Sequence, residues 1–272
     1  MRLSDLLSEL EAHYDKACAD IEITDIVYDS RRVKGGCLFV CLTGGAADGH
    51  DFALSAQQKG AVAVACQRQT ECTLPQIKVP DTRRAMFELA AAWFGHPERK
   101  MRFIGVTGTN GKTSTVYYIK NILDNLGKKT GLIGTVANMI GNETLPSGAT
   151  TPEPYELCSL LSKMADAKVE YCVMEVSSHS IVQKRVCGIT FDVAVFTNLT
   201  QDHLDYHKTM DNYRKAKFKL FDNAKSAVIN IDDETGRQFA EQVACKKYTY
   251  STLYNSADFV AKDIKQKPSG VG

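Results

Sequence analysis

The chain has 272 residues, enough for two domains that each bury a core, and its 44% hydrophobic and 24% charged residues are ordinary for a soluble globular protein. Its formal net charge of +1 gives no general field for nucleic acid or a membrane surface, so any anion site must be local. The nine cysteines include no C-x-x-C pair, which favours free thiols in a reducing cytoplasm over a disulfide framework.

The opening segment, MRLSDLLSELEAHYDK, lacks the apolar core of a signal peptide, and no stretch approaches the length of a membrane span. We therefore expect a cytoplasmic monomer with no nucleic acid and no membrane partner.

Residues 1–97 show the pattern of a small α/β domain. Leucines at helical spacing predict an opening helix from Leu3 to Leu10, and Asp81 is placed to cap a helix over 82–94. Between these helices a further helix is predicted over 52–59. Short apolar runs predict strands at 21–28, 38–42, 61–66 and 77–79.

Two polar loops follow predicted strands in this domain, one at Ser30-Arg31-Arg32 and one over 44–50. Crevices at the strand ends of open α/β sheets commonly bind ligands. Solvated surface charge is an equally good interpretation of Arg31 and Arg32 taken alone.

A second domain is expected over residues 101–272, beginning with the segment FIGVTGTNGKTST. An apolar strand pattern, a glycine-rich turn and a helical pattern follow one another there, which is typical of a phosphate-binding loop. Backbone N–H groups would face an anion, Lys112 would add positive charge, and the Thr113 hydroxyl could ligate Mg²⁺. The strict motif needs glycine where Val106 stands, so an ordinary strand–turn–helix corner is the alternative. The helix is expected to bury its apolar stripe: Val116, Ile119, Ile122, Leu123 and Leu126.

After this loop, strand and helix patterns alternate, which predicts a mostly parallel sheet flanked by helices. The strands are expected at 130–136, 171–176, 191–196, 227–231 and 258–264, and the helices at 153–167, 209–222 and 232–243. The chain then ends in a turn sequence, Lys-Pro-Ser-Gly-Val-Gly, which suggests that the central domain is incomplete.

Polar groups follow two of these strands at the edge shared with the phosphate loop. Glu175 ends an apolar strand, where a carboxylate is costly unless it is paired or binds a metal, and Mg²⁺ is its natural partner in a phosphate-loop protein. Ser177 and His179 follow it, but without a G-x-S-x-G motif a hydrolase is disfavoured.

His203 and His207 follow the next strand at a spacing that shares a helix face. Zinc is one interpretation, but the zinc protease motif needs glutamate where Leu204 stands. A Mg²⁺ ligand at His203 fits better, and histidines that only form hydrogen bonds in a loop are the structural alternative. In the helix that follows, Lys217 belongs to a basic face for which surface lysines are the default.

Several motifs together resemble the Mur ligase family, and most closely its UDP-N-acetylmuramoyl-tripeptide synthetases. They occur in the family's order over nearly the whole chain: DSRRV, ADGHDF, VTGTNGKTS, ATTPEP, MEVSSHSIVQKRV, FTNLTQDHLDYH and YRKAKFKLF. The resemblance implies an ATP-dependent amide ligase that phosphorylates the D-glutamyl carboxylate of UDP-MurNAc-L-Ala-D-Glu. A diamino acid, either meso-diaminopimelate or L-lysine, would then attack the acyl phosphate.

The resemblance also implies site residues. The ATP loop would comprise Gly108, Thr109, Asn110, Gly111, Lys112, Thr113 and Ser114. The uridine diphosphate would contact Ser30, Gly45, Ala46 and Ala47, and the muramoyl peptide Thr150, Thr151, Ser177, Gln183 and Arg185. The catalytic residues would be Lys112, Glu175, His203 and Lys217, with Mg²⁺ held by Thr113, Glu175, His203 and Lys217, the last as its carbamate.

Two features depart from the family pattern. Ala149 replaces an asparagine often found before the Thr-Thr pair. The resemblance also implies a C-terminal domain that binds the incoming amino acid, and we expect this sequence to lack it. On that basis we expect the chain alone to be inactive. The competing interpretations are a folylpolyglutamate-type ligase and a noncatalytic nucleotide-sugar binding fragment.

Overall fold

The computed structural model describes residues 1–44, 47–267 and 270–271. They separate into two compact units: Met1–Arg99 with Pro152–Lys163 and Gln183–Gly188, and Lys100–Thr151 with Met164–Val182 and Ile189–Gly272. The two short segments of the first unit fall within the range that the sequence assigned to a second domain. Contacts between distant segments leave no periodic signal in a sequence, which is why this interleaving was not predicted.

The first unit contains a four-stranded parallel sheet. Its strands are β1 (Asp25–Val27), β2 (Cys37–Val40), β3 (Ala63–Cys66) and β4 (Gln76–Lys78), and its helices include α1 (Leu3–Leu6), α2 (Ala53–Gln58) and α3 (Thr82–Trp93). The strands lie in the order β1-β2-β3-β4, and every residue of β2 and β3 is buried, as their continuous apolar runs require. Asp81 caps α3 as predicted, accepting hydrogen bonds from the N–H groups of Arg83 and Arg84 at 2.9 and 3.1 Å.

The second unit contains a nine-stranded sheet. Its helices and strands begin with β5 (Arg102–Thr107), α4 (Lys112–Asn125), β6 (Thr130–Ile133), β7 (Asn138–Ile140), β8 (Glu143–Leu145), α5 (Pro154–Asp166, shared with the first unit), β9 (Tyr171–Glu175) and α6 (Ser178–Val182). They continue with β10 (Val193–Phe196), α7 (Leu204–His207), α8 (Met210–Phe218), β11 (Ser226–Asn230), α9 (Glu234–Gln242), β12 (Lys246–Ser251) and β13 (Phe259–Val260). A separate antiparallel pair is formed by β14 (Gln266–Lys267) and β15 (Gly270–Val271).

The strand order, β13-β12-β11-β10-β5-β9-β6-β7-β8, places the phosphate-loop strand between β9, which carries Glu175, and β10, which the segment with His203 follows. All of these pairings are parallel except β6–β7 and β7–β8, which confirms the mostly parallel α/β sheet. Val106 aligns with Glu175, and Thr107 aligns with Phe196. The carboxyl ends of β5, β9 and β10 therefore meet at one edge.

Several local predictions need correction. The opening helix covers only Leu3–Leu6, the strand predicted over 21–28 is reduced to Asp25–Val27, and the strands β7, β8 and β12 were not anticipated. Val116 of α4 is fully buried, but Ile122 of the same helix and Leu126 at its C-cap are 60% and 69% exposed, so the predicted apolar stripe packs only in part. In the described part of the chain, no helix is long and apolar enough to cross a membrane.

Candidate active site

The phosphate loop connects β5 to α4 and depends on two glycines. Gly108 and Gly111 have φ values of 153° and 82°, a conformation that disfavours any residue with a side chain. A Cβ atom at Gly108 would lie 1.8 Å from Thr197 Oγ1, so the close approach of the next strand end also requires glycine. The glycine pattern thus serves both the turn and its packing.

The segment that follows β10 holds the loop in place. Asn198 accepts a hydrogen bond from the Asn110 N–H at 2.9 Å and donates one to the Asn110 carbonyl at 3.1 Å. Thr197 Oγ1 donates to the same carbonyl at 2.7 Å, and the Thr200 N–H donates to Thr109 Oγ1 at 3.0 Å. Sequence reasoning assigned no role to Thr197 or Asn198, although their place directly after a central strand was a usable signal.

Two lysines converge on one carbonyl of the loop. Lys112 Nζ donates to the carbonyl of Gly108 at 2.9 Å, and Lys217 Nζ donates to the same oxygen at 2.7 Å. Among the described residues, no carboxylate lies within 4.0 Å of either amine. Two lysine amines beside a glycine turn that opens a helix form a site suited to a polyanion.

Lys217 corrects the default interpretation of a surface lysine, because its side chain is only 1% exposed. Burial, together with the nearby charge of Lys112, lowers the pKa of Lys217 to about 7. Burial also lowers the pKa of Lys112. At neutral pH, a substantial fraction of the Lys217 amine is therefore uncharged.

Glu175 lies at the end of β9 and is 1% exposed. Its carboxylate accepts hydrogen bonds from Thr113 Oγ1 at 3.0 Å and from the Thr135 N–H at 2.8 Å. Gly134 lies so close that a Cβ there would be 2.5 Å from Glu175 Oε1. A buried carboxylate beside a hydroxyl of the phosphate loop provides the oxygen ligands that Mg²⁺ prefers, so these two residues fit that ion.

His203 is not brought into contact with Glu175. In the described part of the chain, its Nε2 lies 3.5 Å from Asp202 Oδ2, and its ring packs edge-on against His179 and Tyr213, with centroids 4.9 and 6.2 Å apart. Its backbone adopts the left-handed region with φ 51°, and its side chain is about half exposed. No group of three or more His, Cys, Asp or Glu side chains among the described residues is placed to hold a metal, so the role of His203 as a ligand stays a prediction.

His207 matches the structural alternative, in which a histidine forms hydrogen bonds and packs rather than binding a metal. Its Nε2 hydrogen-bonds with Ser178 Oγ at 2.8 Å, and its ring stacks on Tyr213 with centroids 4.8 Å apart. Burial, and then the charge of His179, lowers the pKa of His207 to about 4. The ring is therefore neutral at physiological pH and belongs to the packing of the site.

Three predicted substrate residues of the second unit gather around Glu175. Thr151 Oγ1 donates to the Glu175 carbonyl at 2.9 Å and accepts from the Ser177 N–H at 3.2 Å. Thr150 Oγ1 hydrogen-bonds with Thr135 Oγ1 at 2.9 Å. A row of hydroxyl groups thus extends from the carboxylate.

The other predicted substrate residues belong to the first unit. Arg185 donates to Gln183 Oε1 at 2.6 Å and pairs with Glu153 at 2.7 Å. The carbonyl of Ser30 accepts from Lys59 Nζ at 2.8 Å, and that of Ala47 accepts from the Gly44 N–H at 2.8 Å. Gly45 and Ala46 lie outside the described residues.

A cavity of about 270 Å³ adjoins β1 in this unit. Its lining residues combine acidic, basic and phenolic groups: Asp25, Ile26, Val27, Tyr28, Asp29, Arg32, Lys34 and Tyr155. Arg32 pairs with Glu156 at 3.1 Å, whereas Arg31 is a largely exposed side chain paired with Asp29 at 2.7 Å. Both side chains are mostly exposed, so the surface-charge interpretation holds for both, and Arg32 also borders the cavity.

Comparison with known families decides the identity of this arrangement. The family described as the Mur ligase middle domain matches residues 106–272, and the one described as Mur ligase family, catalytic domain, matches residues 22–94. The chain belongs to the Mur ligase family.

Among its relatives is UDP-N-acetylmuramoyl-L-alanyl-D-glutamate–2,6-diaminopimelate ligase 1 of Clostridium acetobutylicum, 45% identical over 99% of this chain and 56% of its own length. A solved structure of a UDP-N-acetylmuramoyl-L-alanyl-D-glutamate–2,6-diaminopimelate ligase superposes with a TM-score of 0.83 at 28% identity, covering 100% of this Mur ligase chain and 56% of its own. A folylpolyglutamate synthase of Mycobacterium tuberculosis, solved with ADP and AMPPCP, covers 62% of this chain and 48% of its own at a TM-score of 0.50 and 18% identity, which shows fold likeness alone. The chain spans about half the length of the curated relatives it matches.

Proposed function

We propose that this chain provides the nucleotide-sugar and ATP sites of an ATP-dependent ligase that adds a diamino acid to UDP-MurNAc-L-Ala-D-Glu in peptidoglycan synthesis. The relatives' names favour 2,6-diaminopimelate over L-lysine as the incoming amine. A folylpolyglutamate-type ligase has weaker support, because its structural likeness extends over 62% of the chain rather than all of it.

One observation carries the proposal: the amines of Lys112 and Lys217 meet at the carbonyl of Gly108, beside a glycine turn that opens a helix. The N–H groups of Thr109 and Asn110 already donate to Asn198, so the other N–H groups of the loop would hold the phosphates of ATP. Lys112 would swing from its carbonyl partners to the transferred phosphoryl group. Phosphorylation of the D-glutamyl carboxylate gives an acyl phosphate and ADP. Attack by the amine then forms the amide and releases phosphate.

Thr113 and Glu175 would hold Mg²⁺, with His203 as a further ligand. When bound, the ion would neutralise charge on the phosphate oxygens. The chain itself contributes orientation, because Thr113 and Thr135 hold the Glu175 carboxylate and Asn198 holds the loop.

Lys217 is proposed to act as a carbamate. A neutral lysine amine adds to CO₂, forming an N–C bond and releasing a proton, which replaces a cation with a carboxylate-like anion. Its buried setting and a pKa near 7 make the reactive neutral form available at physiological pH. In that form it would serve as an anionic ligand of Mg²⁺, and Lys112 would be the cation that faces the phosphates.

The substrate residues are proposed on the resemblance and on their chemistry. Hydroxyl groups at Thr150, Thr151 and Ser177 can hydrogen-bond the peptide, and the guanidinium of Arg185 suits its carboxylates. In the first unit, Ser30 and residues 45–47 are assigned to the uridine diphosphate.

Isothermal titration of the chain with ADP and Mg²⁺ tests the proposal. We expect binding by the unmodified chain and a loss of at least about tenfold in Lys112→Ala, which removes one charge from the phosphate site. Lys128→Ala is the matched control, because Lys128 lies just beyond the same helix and pairs with Glu170 on the surface. Absence of ADP binding, or equal affinities in both variants, would contradict the proposal.

A further inference from the structure

Tyr213 connects three parts of the second unit that carry proposed function. It is 1% exposed on α8, and its hydroxyl hydrogen-bonds with Thr109 Oγ1 of the phosphate loop at 3.3 Å. Lys217 Nζ lies 4.5 Å from the centre of its ring. The ring also stacks on His207, which is hydrogen-bonded to Ser178 beyond β9.

We propose that Tyr213 is a positioning residue that seats Lys217 against the phosphate loop. The inference rests on the proposed function, since it concerns the same lysine and the same loop. The phenol would act through two separate groups: its ring holds the Lys217 amine in place, and its hydroxyl holds Thr109.

The geometry supports a role beyond filling the core. Lys217 has a flexible side chain with several rotatable bonds, yet its amine is held between the Gly108 carbonyl and the face of one ring. The ring face limits where the end of this side chain can lie, whether the amine is protonated or neutral. A leucine would fill similar space but would offer neither the face nor the hydroxyl.

The ring itself is fixed from the other side. His207 stacks on it at an interplanar angle of 30°, and His203 approaches its edge. Since the ring is fixed, Lys217 and Thr109 cannot shift independently. The residue therefore couples the position of the lysine to that of the loop that would bind phosphate.

The test uses Tyr213→Phe and Tyr213→Leu in the whole chain, with Tyr206→Leu as the matched control. Tyr206 packs on His179 in the same aromatic cluster but contacts neither Lys217 nor Thr109 among the described residues. Two quantities are measured: ADP affinity by calorimetry, and the ¹³C NMR signal of a Lys217 carbamate in ¹³C-bicarbonate, identified by its loss in Lys217→Met. Thermal unfolding of each variant shows whether it is folded.

We expect the ADP affinity and the carbamate signal to respond differently to the two substitutions of Tyr213. Tyr213→Phe keeps the ring and hence the carbamate signal, but weakens ADP binding about threefold to tenfold because Thr109 loses a partner. Tyr213→Leu loses most of the carbamate signal as well, and Tyr206→Leu changes neither. The phenylalanine variant preserves the core, so it decides the question even if the leucine variant fails to fold.

The inference is overturned if Tyr213→Phe matches the unmodified chain in ADP affinity, or if both readouts fall only in proportion to lost stability. It is also overturned if the unmodified chain binds ADP but forms no carbamate at Lys217. If the unmodified chain shows neither ADP binding nor carbamate, the proposed function itself fails, and this inference fails with it.

Discussion

At the scale of single residues, folding makes the charge on Lys217 sensitive to pH near neutrality. Its pKa falls from the ordinary value of 10.5 to about 7 on folding. Between those values the unfolded chain binds more protons than the folded chain, so the free energy of unfolding rises with pH across that window. Below about pH 7 both states carry the proton, and the full cost of the buried charge remains.

The corresponding prediction concerns Lys217→Met, which keeps the volume and removes the charge. In CO₂-free buffer near pH 7, we expect the variant to be more stable than the unmodified chain by a few kcal/mol, with the difference shrinking toward pH 10. Urea denaturation at a series of pH values measures this difference. Lys219→Met, at an exposed position on the same segment, should show no such trend. If the difference in the free energy of unfolding between the two proteins stays constant with pH, folding does not lower the pKa of the Lys217 amine.

Glu175 and His203 have unequal structural support as Mg²⁺ ligands. The carboxylate is buried and linked to Thr113, whereas the imidazole contacts neither of them among the described residues. We expect Glu175→Gln to raise the Mg²⁺ concentration needed for ADP binding by about tenfold, and His203→Ala to raise it less. Mg²⁺ titrations at fixed ADP give both values. Unchanged Mg²⁺ dependence in Glu175→Gln would remove this residue from the proposed metal site.

At the scale of elements, the phosphate loop and the segment after β10 behave as one unit. Gly108→Ala would place a Cβ atom 1.8 Å from Thr197 Oγ1 at a φ of 153°, so the loop or the neighbouring strand end must move. We expect a loss of about 2 kcal/mol of stability or more and the loss of ADP binding. Gly148→Ala is the control, since a Cβ there meets nothing within 4 Å. Normal stability and affinity in Gly108→Ala would mean that the loop tolerates a different path.

Much of this element pattern was predictable. The buried strands β2, β3 and β5 are continuous apolar runs, and Asp81, a typical N-cap residue, predicted the start of α3. By contrast, β12 has the polar sequence KKYTYS, and it forms because β11 and β13 offer it backbone partners. A strand stabilised mainly by its neighbours carries little periodic signal.

The site was predictable in its residue types but not in its connections. The glycine turn and Glu175 were recognisable from their place at strand ends. The burial of Lys217 was not, because it depends on the phosphate loop packing against α8 from more than 100 residues away in sequence. For the same reason, the exposed positions of Ile122 and Leu126 could not be read from a helical stripe alone.

At the scale of the whole molecule, the proposed ligand sites are divided between two compact units. The residues assigned to ATP, 108–114, all lie in the second unit, and those assigned to the uridine diphosphate, Ser30 and 45–47, all lie in the first. The residues assigned to the muramoyl peptide occur in both. A ligase must hold two substrates with their reacting groups aligned. Because the residues assigned to ATP and to the uridine diphosphate lie in different units, the two affinities should be alterable separately.

The last prediction is that single substitutions separate these affinities. Lys112→Ala should weaken ADP binding by at least about tenfold while leaving the affinity for UDP-MurNAc-L-Ala-D-Glu within about twofold, since Lys112 serves only the ATP phosphates. Ser30→Glu should do the reverse, because a carboxylate beside the proposed diphosphate position repels it. Calorimetry with each ligand on both variants measures the four affinities. If Lys112→Ala loses the nucleotide sugar as strongly as ADP, the lysine also supports the muramoyl substrate, and the assignment of separate sites is wrong.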